Sequence, residues 1–123
     1  NSLGNVGSAC WVFAESIFEC KKIALLGMDF GYYMDTPLQS TQYYSLLKKN
    51  FGTKNLNFFY KKIFNNYTKQ YYYTDHVYFW YKEIFFDALK KSKSKTFNCT
   101  NGGILFKTPL NNCSFEKFLK KIN

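Results

Sequence analysis

The chain has 123 residues, four cysteines and a formal net charge of +9, which bounds it to one domain of ordinary size. It contains no run of about 18 apolar residues and no basic segment leading into a short apolar one, the patterns of a spanning helix and a secretory leader. Every basic residue is lysine; without arginine, the planar fork behind most base and phosphate recognition is missing, so nucleic acid is not expected as a partner.

In chain order, Gly4-Asn5-Val6-Gly7-Ser8 reads as a glycine-bearing loop that opens a helix. Glycine lets backbone approach a ligand closely. Asn5 and Ser8 are good helix caps, and the free N–H groups of a helix start favour an anion such as a phosphate. The bland alternative is that the glycines only ease a turn. The helix carries Ala9, Val12, Phe13 and Ile17 on one side and Cys10, Ala14 and Phe18 on another, so it is expected to be buried over most of its circumference up to Cys20. Lys22 to Met28 is a near-continuous apolar run, the pattern of a parallel strand covered on both faces.

Ligands of open α/β sheets sit beyond the carboxyl ends of the strands, which places Asp29, Tyr32 and Tyr33 at the expected site. Asp29 suits a ribose hydroxyl, an acceptor group or Mg2+ with phosphates; alternatively it only caps the next turn. A loop containing Pro37 then precedes a short helix from Ser40 or Thr41 through Lys49, with Gly52 ending it. Residues 53–73 are compatible with short strands at Phe58-Phe59-Tyr60 and Tyr71-Tyr72-Tyr73, or with one helix plus a lid. Asp75 then caps the clearest helix, whose stripe is Val77, Trp80, Tyr81, Ile84, Phe85, Ala88 and Leu89. Its lysine-rich end is read as a solvated terminus.

Thr96-Phe97-Asn98-Cys99 follows as a short strand. The loop after it, Asn98 to Gly103, is a second phosphate- or base-binding candidate through Asn98, Thr100 and Gly102. Ser114 caps a last helix bearing Phe115, Phe118 and Leu119. His76, the only histidine, is a weak general-base candidate; against that, it is a plain first-turn residue. Cys10, Cys20, Cys99 and Cys113 show no metal-ligand spacing, so neither zinc nor disulfides are expected, and the reading is a reducing cytoplasm.

The Gly4–Ser8 stretch followed by Ile23-Ala24-Leu25-Leu26-Gly27-Met28-Asp29-Phe30 resembles the MptE-like family. Thr41-Gln42-Tyr43-Tyr44, Tyr73-Thr74-Asp75 and Asn98-Cys99-Thr100-Asn101-Gly102-Gly103 fit the same pattern in order. That family includes archaeal 6-hydroxymethylpterin diphosphokinases and the bacterial motility accessory factors (Maf proteins) implicated in flagellin glycosylation. The loop–helix–strand–Gly-x-Asp-Phe unit is more distantly similar to bacterial sialyltransferases that use a CMP-activated sugar.

The resemblance implies an α/β fold, a Rossmann-like parallel sheet with flanking helices. Residues 1–123 would be the C-terminal portion of a single domain whose earlier strands precede Asn1. It further implies a transferase acting on a nucleotide-activated donor, a CMP-sugar or ATP, with a small-molecule or protein acceptor. Nucleotide or phosphate contacts would come from Gly4, Asn5, Gly7, Ser8, Asp29, Tyr32, Tyr33, Asn98, Thr100 and Gly102. The pterin diphosphokinase alternative adds Mg2+, held in part by Asp29; a non-catalytic ligand-binding domain is the third reading. Members of the family usually carry Pro where His76 stands, which argues against His76 as the base.

Overall fold

The computed structural model describes residues 2–123. Asn5 starts the first helix, α1 (Val6–Val12), its Oδ1 accepting the Ser8 N–H at 2.9 Å. From Phe13 the helix widens into a π-helical turn, Phe13–Ile17. Strand β1 (Lys22–Leu25) follows, then the two-residue β2 (Tyr32–Tyr33), a 3-10 turn at Leu38–Ser40, and α2 (Tyr44–Phe51). Gly52, with φ +75°, ends α2 in a conformation that glycine adopts without penalty.

Residues 53–73 resolve as a 3-10 segment, Thr53–Phe59, then the hairpin of β3 (Tyr60–Asn65) and β4 (Gln70–Asp75). Asn65 builds the hairpin loop: its buried carboxamide oxygen accepts from the N–H of Tyr67 and of Thr68. Helix α3 (His76–Lys91) follows directly, capped by Asp75, whose Oδ1 accepts the Tyr78 N–H at 2.8 Å. Strands β5 (Lys95–Asn98) and β6 (Asn111–Asn112) and helix α4 (Phe115–Ile122), capped by Ser114, complete the chain.

The strands form two sheets. A parallel one has the order β1-β5-β6, and an antiparallel one has the order β2-β4-β3. Ile23 pairs with Thr96 and Ala24 with Phe97, so alternation along the strands sorts the parallel sheet into two faces. Ile23 and Leu25 join Trp11 of α1 and Phe85 and Leu89 of α3 in the core. Phe97, on the other face, meets Phe118 of α4 at 5.4 Å between ring centroids. The parallel sheet is thus flanked by helices in a Rossmann-like arrangement, and the antiparallel sheet is appended through β4 and α3. No helix among the described residues is long and apolar enough to cross a membrane.

The first helix and the first strand each depart from expectation, and α2 starts at Tyr44, without a side-chain cap, rather than at Ser40 or Thr41. The first helix is buried on one stripe only. Ser8 and Trp11, three residues apart, face the core, while Val6 (81% exposed), Phe13, Ile17 and Phe18 face outward. Trp11 anchors that stripe, meeting Phe85 edge-on at 5.3 Å and donating its indole N–H to Thr96 Oγ1 at 2.9 Å. The first strand ends at Leu25 rather than Met28, and Leu26 is 57% exposed. Among the described residues β1 pairs on one side only, with β5.

Candidate functional site

Beyond the carboxyl end of β1 the chain turns sharply. Gly27 takes φ +74°, and the buried Phe30 takes φ +50°, a conformation a bulky side chain rarely adopts. Three long-range hydrogen bonds hold this turn in place. Met28 N–H donates to Thr100 Oγ1 at 3.2 Å, Ile104 N–H donates to the Asp29 carbonyl at 2.9 Å, and Thr74 Oγ1 donates to the Phe30 carbonyl at 2.7 Å. Strain held by its surroundings in this way is common at functional sites.

The turn forms one wall of a cleft of about 340 Å³, lined by Asn5, Val6, Gly7, residues 27–32 and Tyr78. The helix start and the strand end therefore meet, as the sequence anticipates. The N–H groups of Val6 and Gly7 belong to the first turn of α1 and find no acceptor among the described residues. Asp29 is the only carboxylate on the lining. It is exposed at the cleft mouth, yet loss of water around the carboxyl raises its pKa above the ordinary 3.8.

Aromatic rings supply the remaining wall. Tyr32 and Tyr78 stack at 5.6 Å between centroids with planes 30° apart, and Tyr78 lies 5.9 Å from Phe30. Tyr32 presents its ring, because its hydroxyl is already used: it donates to Asp75 Oδ2 at 2.9 Å and accepts the Gln42 N–H at 3.0 Å. Burial chiefly, with Asp75 nearby, raises its pKa far above the ordinary tyrosine value. The expected hydroxyl contact from Tyr32 to a phosphate is thus unavailable in this arrangement. Tyr78 escapes the sequence reading, which put Val77 and Trp80 on the apolar stripe of α3; in the structure Tyr78 packs on the core one turn before Tyr81, and Trp80 is 57% exposed. Its only signal is a position three residues after the Asp75 cap.

Several other expected site residues are structural. Gly4, at φ +89°, sits where any Cβ would fall 2.6 Å from the Tyr81 ring. Ser8 is fully buried and takes its hydrogen bond from Asn5 Nδ2 at 3.0 Å, so the two polar side chains satisfy each other. Tyr33 is exposed and off the cleft, near Tyr72.

The loop at Asn98 to Gly103 lies beneath the cleft rather than on it. Asn98 is buried, donating to the Leu105 carbonyl and to Asn112 Oδ1 while accepting the Thr100 N–H, which leaves its side chain no donor or acceptor aimed at the cleft. Thr100 acts through its bond to Met28, and Gly102 packs on the Tyr72 ring. Gly103 fits directly under Asp29: a Cβ there would stand 2.4 Å from the Asp29 carbonyl oxygen. His76 is exposed at the start of α3 with its ring 6.3 Å from Phe59, and it does not line the cleft.

A protein-held cation has little support in this donor set. Among the described residues no three His, Cys, Asp or Glu side chains gather, and the cleft offers Asp29 alone. Grooves of similar size lie elsewhere; one of about 310 Å³, lined by Glu15, Glu19, Lys21 and Lys93, opens at the amino ends of β1 and β5. It lacks the strand-end position at which open α/β sheets bind ligands. No family model matches the chain, and no curated protein or solved structure matches it either.

Proposed function

We propose that the protein is a transferase acting on a nucleotide-activated substrate, with a CMP-activated sugar as the donor class, working by direct displacement at the activated carbon. One observation carries this reading: free backbone N–H groups, a single carboxyl and an aromatic wall converge on a single cleft at the carboxyl end of β1. The Val6 and Gly7 N–H groups would take the phosphate oxygens, where negative charge grows as the nucleotide departs. Tyr32 and Tyr78 would give the base or sugar a stacking surface.

Asp29 would accept the proton of the acceptor hydroxyl as that oxygen attacks. A raised pKa brings a carboxylate closer to the working pH, the direction that favours a general base. The diphosphokinase alternative requires Mg2+ bridging phosphates, and a lone carboxylate supports it less well. Since nucleotide-activated donors are intracellular metabolites, a cytoplasmic setting belongs to the same proposal.

The deciding experiment titrates the protein with CMP, with a CMP-sugar, and with ATP plus Mg2+, following the backbone amide resonances of Val6 and Gly7. Saturable shifts with CMP and the CMP-sugar, without added metal, support the transferase. Binding only of ATP with Mg2+ moves the assignment to the diphosphokinase. Binding without release of CMP in the presence of any acceptor hydroxyl leaves a ligand-binding domain. The absence of all three sinks the site.

A further inference from the structure

The four cysteines are not equivalent. Cys10 is exposed on α1 and Cys20 follows the π-helical turn, but Cys99 and Cys113 directly follow the register partners Asn98 and Asn112 of adjacent parallel strands. The ladder continues past both: Cys99 N–H donates to the Leu25 carbonyl at 2.9 Å, and Cys113 N–H donates to the Asn98 carbonyl at 3.2 Å. Neighbouring strands run roughly 4.7–4.9 Å apart, within the roughly 4.4–6.8 Å Cα separation that a disulfide spans. Equivalent positions on paired strands also project to the same face. The two side chains thus stand side by side on one face, and both residues are half-buried and present as free thiols.

We propose that Cys99 and Cys113 form an intramolecular disulfide on exposure to a low-molecular-weight disulfide, and that this bond clamps the segment 100–112 beneath the cleft. That segment holds the cleft turn through Thr100 and Ile104, which bind the Met28 N–H and the Asp29 carbonyl, and it receives Asn65 Nδ2 on the Gly103 carbonyl at 2.9 Å. One cysteine of the pair attacks first. Its thiolate displaces one thiolate from the small disulfide, forming a mixed disulfide. The other cysteine's sulfur then attacks the protein sulfur of that mixed disulfide, losing its proton to solvent and releasing the second small thiolate. Two protein thiols are oxidised by two electrons, and one small disulfide is reduced to two thiols.

The test equilibrates the folded protein with excess oxidised glutathione, alkylates the remaining thiols and maps the peptides. The expected result is a peptide pair joined through Cys99 and Cys113, with both residues lost to alkylation. Full alkylation of both, or a linked pair involving Cys10 or Cys20, overturns the proposal. In Cys99→Ser or in Cys113→Ser the remaining partner should accumulate as a stable glutathione adduct; an adduct in neither variant overturns the exchange route. Amide exchange at Met28 and Ile104 should slow at least threefold in the oxidised protein. Unchanged exchange there refutes the clamp. None of these readouts depends on the transferase reading.

Discussion

Tyr32 Oη donates to Asp75 Oδ2 across 2.9 Å, joining residues 43 apart in sequence. Through this bond one wall of the cleft is tied to the cap of the longest helix, because the other oxygen of the same carboxyl accepts the Tyr78 N–H. Asp75 has no exposed surface, so both bonds substitute for water. Tyr32→Phe removes one of them and leaves a buried acceptor short of a donor, which should cost about 1–3 kcal/mol. Urea denaturation measures this directly. A loss below about 0.5 kcal/mol would show that the bond does not support the fold.

Gly103 is the position where the buried loop is least tolerant. It has φ +77°, and a Cβ would meet the Asp29 carbonyl oxygen, Cα and carbonyl carbon at 2.4, 2.5 and 2.8 Å. These are backbone atoms and cannot swing aside as a side chain would. Gly103→Ala should destabilise by roughly 2–6 kcal/mol, from backbone strain plus overpacking, and should displace the Asp29 amide resonance. Near-native stability in this variant would contradict the packing described.

Gly7 is the contrasting case. Its φ is not positive, and a Cβ would make ordinary contact, 3.4 Å, with Asn5 Oδ1 and Met28. Gly7→Val should therefore fold with stability within about 1 kcal/mol of the parent, since valine is the better helix former. The added methyls fill the approach to the Val6 and Gly7 N–H groups, so CMP affinity should fall at least tenfold. Unchanged affinity in the folded variant counts decisively against the phosphate position.

Asp29 sets a pH dependence whose sign is fixed by the direction of its shift. Desolvation raises its folded pKa above the ordinary 3.8, so between the two values the folded chain holds more protons than the unfolded one. Its contribution to stability is then fully present below the ordinary value and is lost as pH rises through the folded value. Asp29→Asn should abolish that slope, read as a difference between the two urea-stability profiles from pH 3 to 7. Parallel profiles, or a carboxyl titrating at or below 3.8 by NMR, would falsify the desolvation account.

His76→Pro tests the only histidine. The residue starts α3, where proline's fixed φ suits the helix, and Asp75 before it is already extended at φ −93°, ψ 172°, as proline requires of its predecessor. Stability should stay within about 0.5 kcal/mol and any transferase turnover within a few-fold. A hundredfold loss of turnover with donor binding intact would restore His76 as the base.

By itself, the sequence determined the features that are local in origin. The caps Asn5, Asp75 and Ser114, the stop at Gly52, the later half of the α3 stripe at Phe85 and Leu89, and the parallel strand at Ile23–Leu25 follow from side-chain chemistry within a few residues. It also brought the helix start and the end of β1 to one site, because strand-end geometry in α/β sheets is general.

Only the tertiary structure decided which polar groups remain free. Asn98 and Ser8 have the same chemistry in the sequence whether they face a ligand or a carbonyl, and here both are satisfied internally. The hairpin of residues 60–75 was ambiguous because its pattern mixes aromatic runs with lysines; pairing across strands and Asn65 in the loop settle it. Tyr78 and the Cys99–Cys113 pair were invisible for one shared reason. A contact between distant segments depends on how sheets and helices stack, and no short-range pattern encodes that.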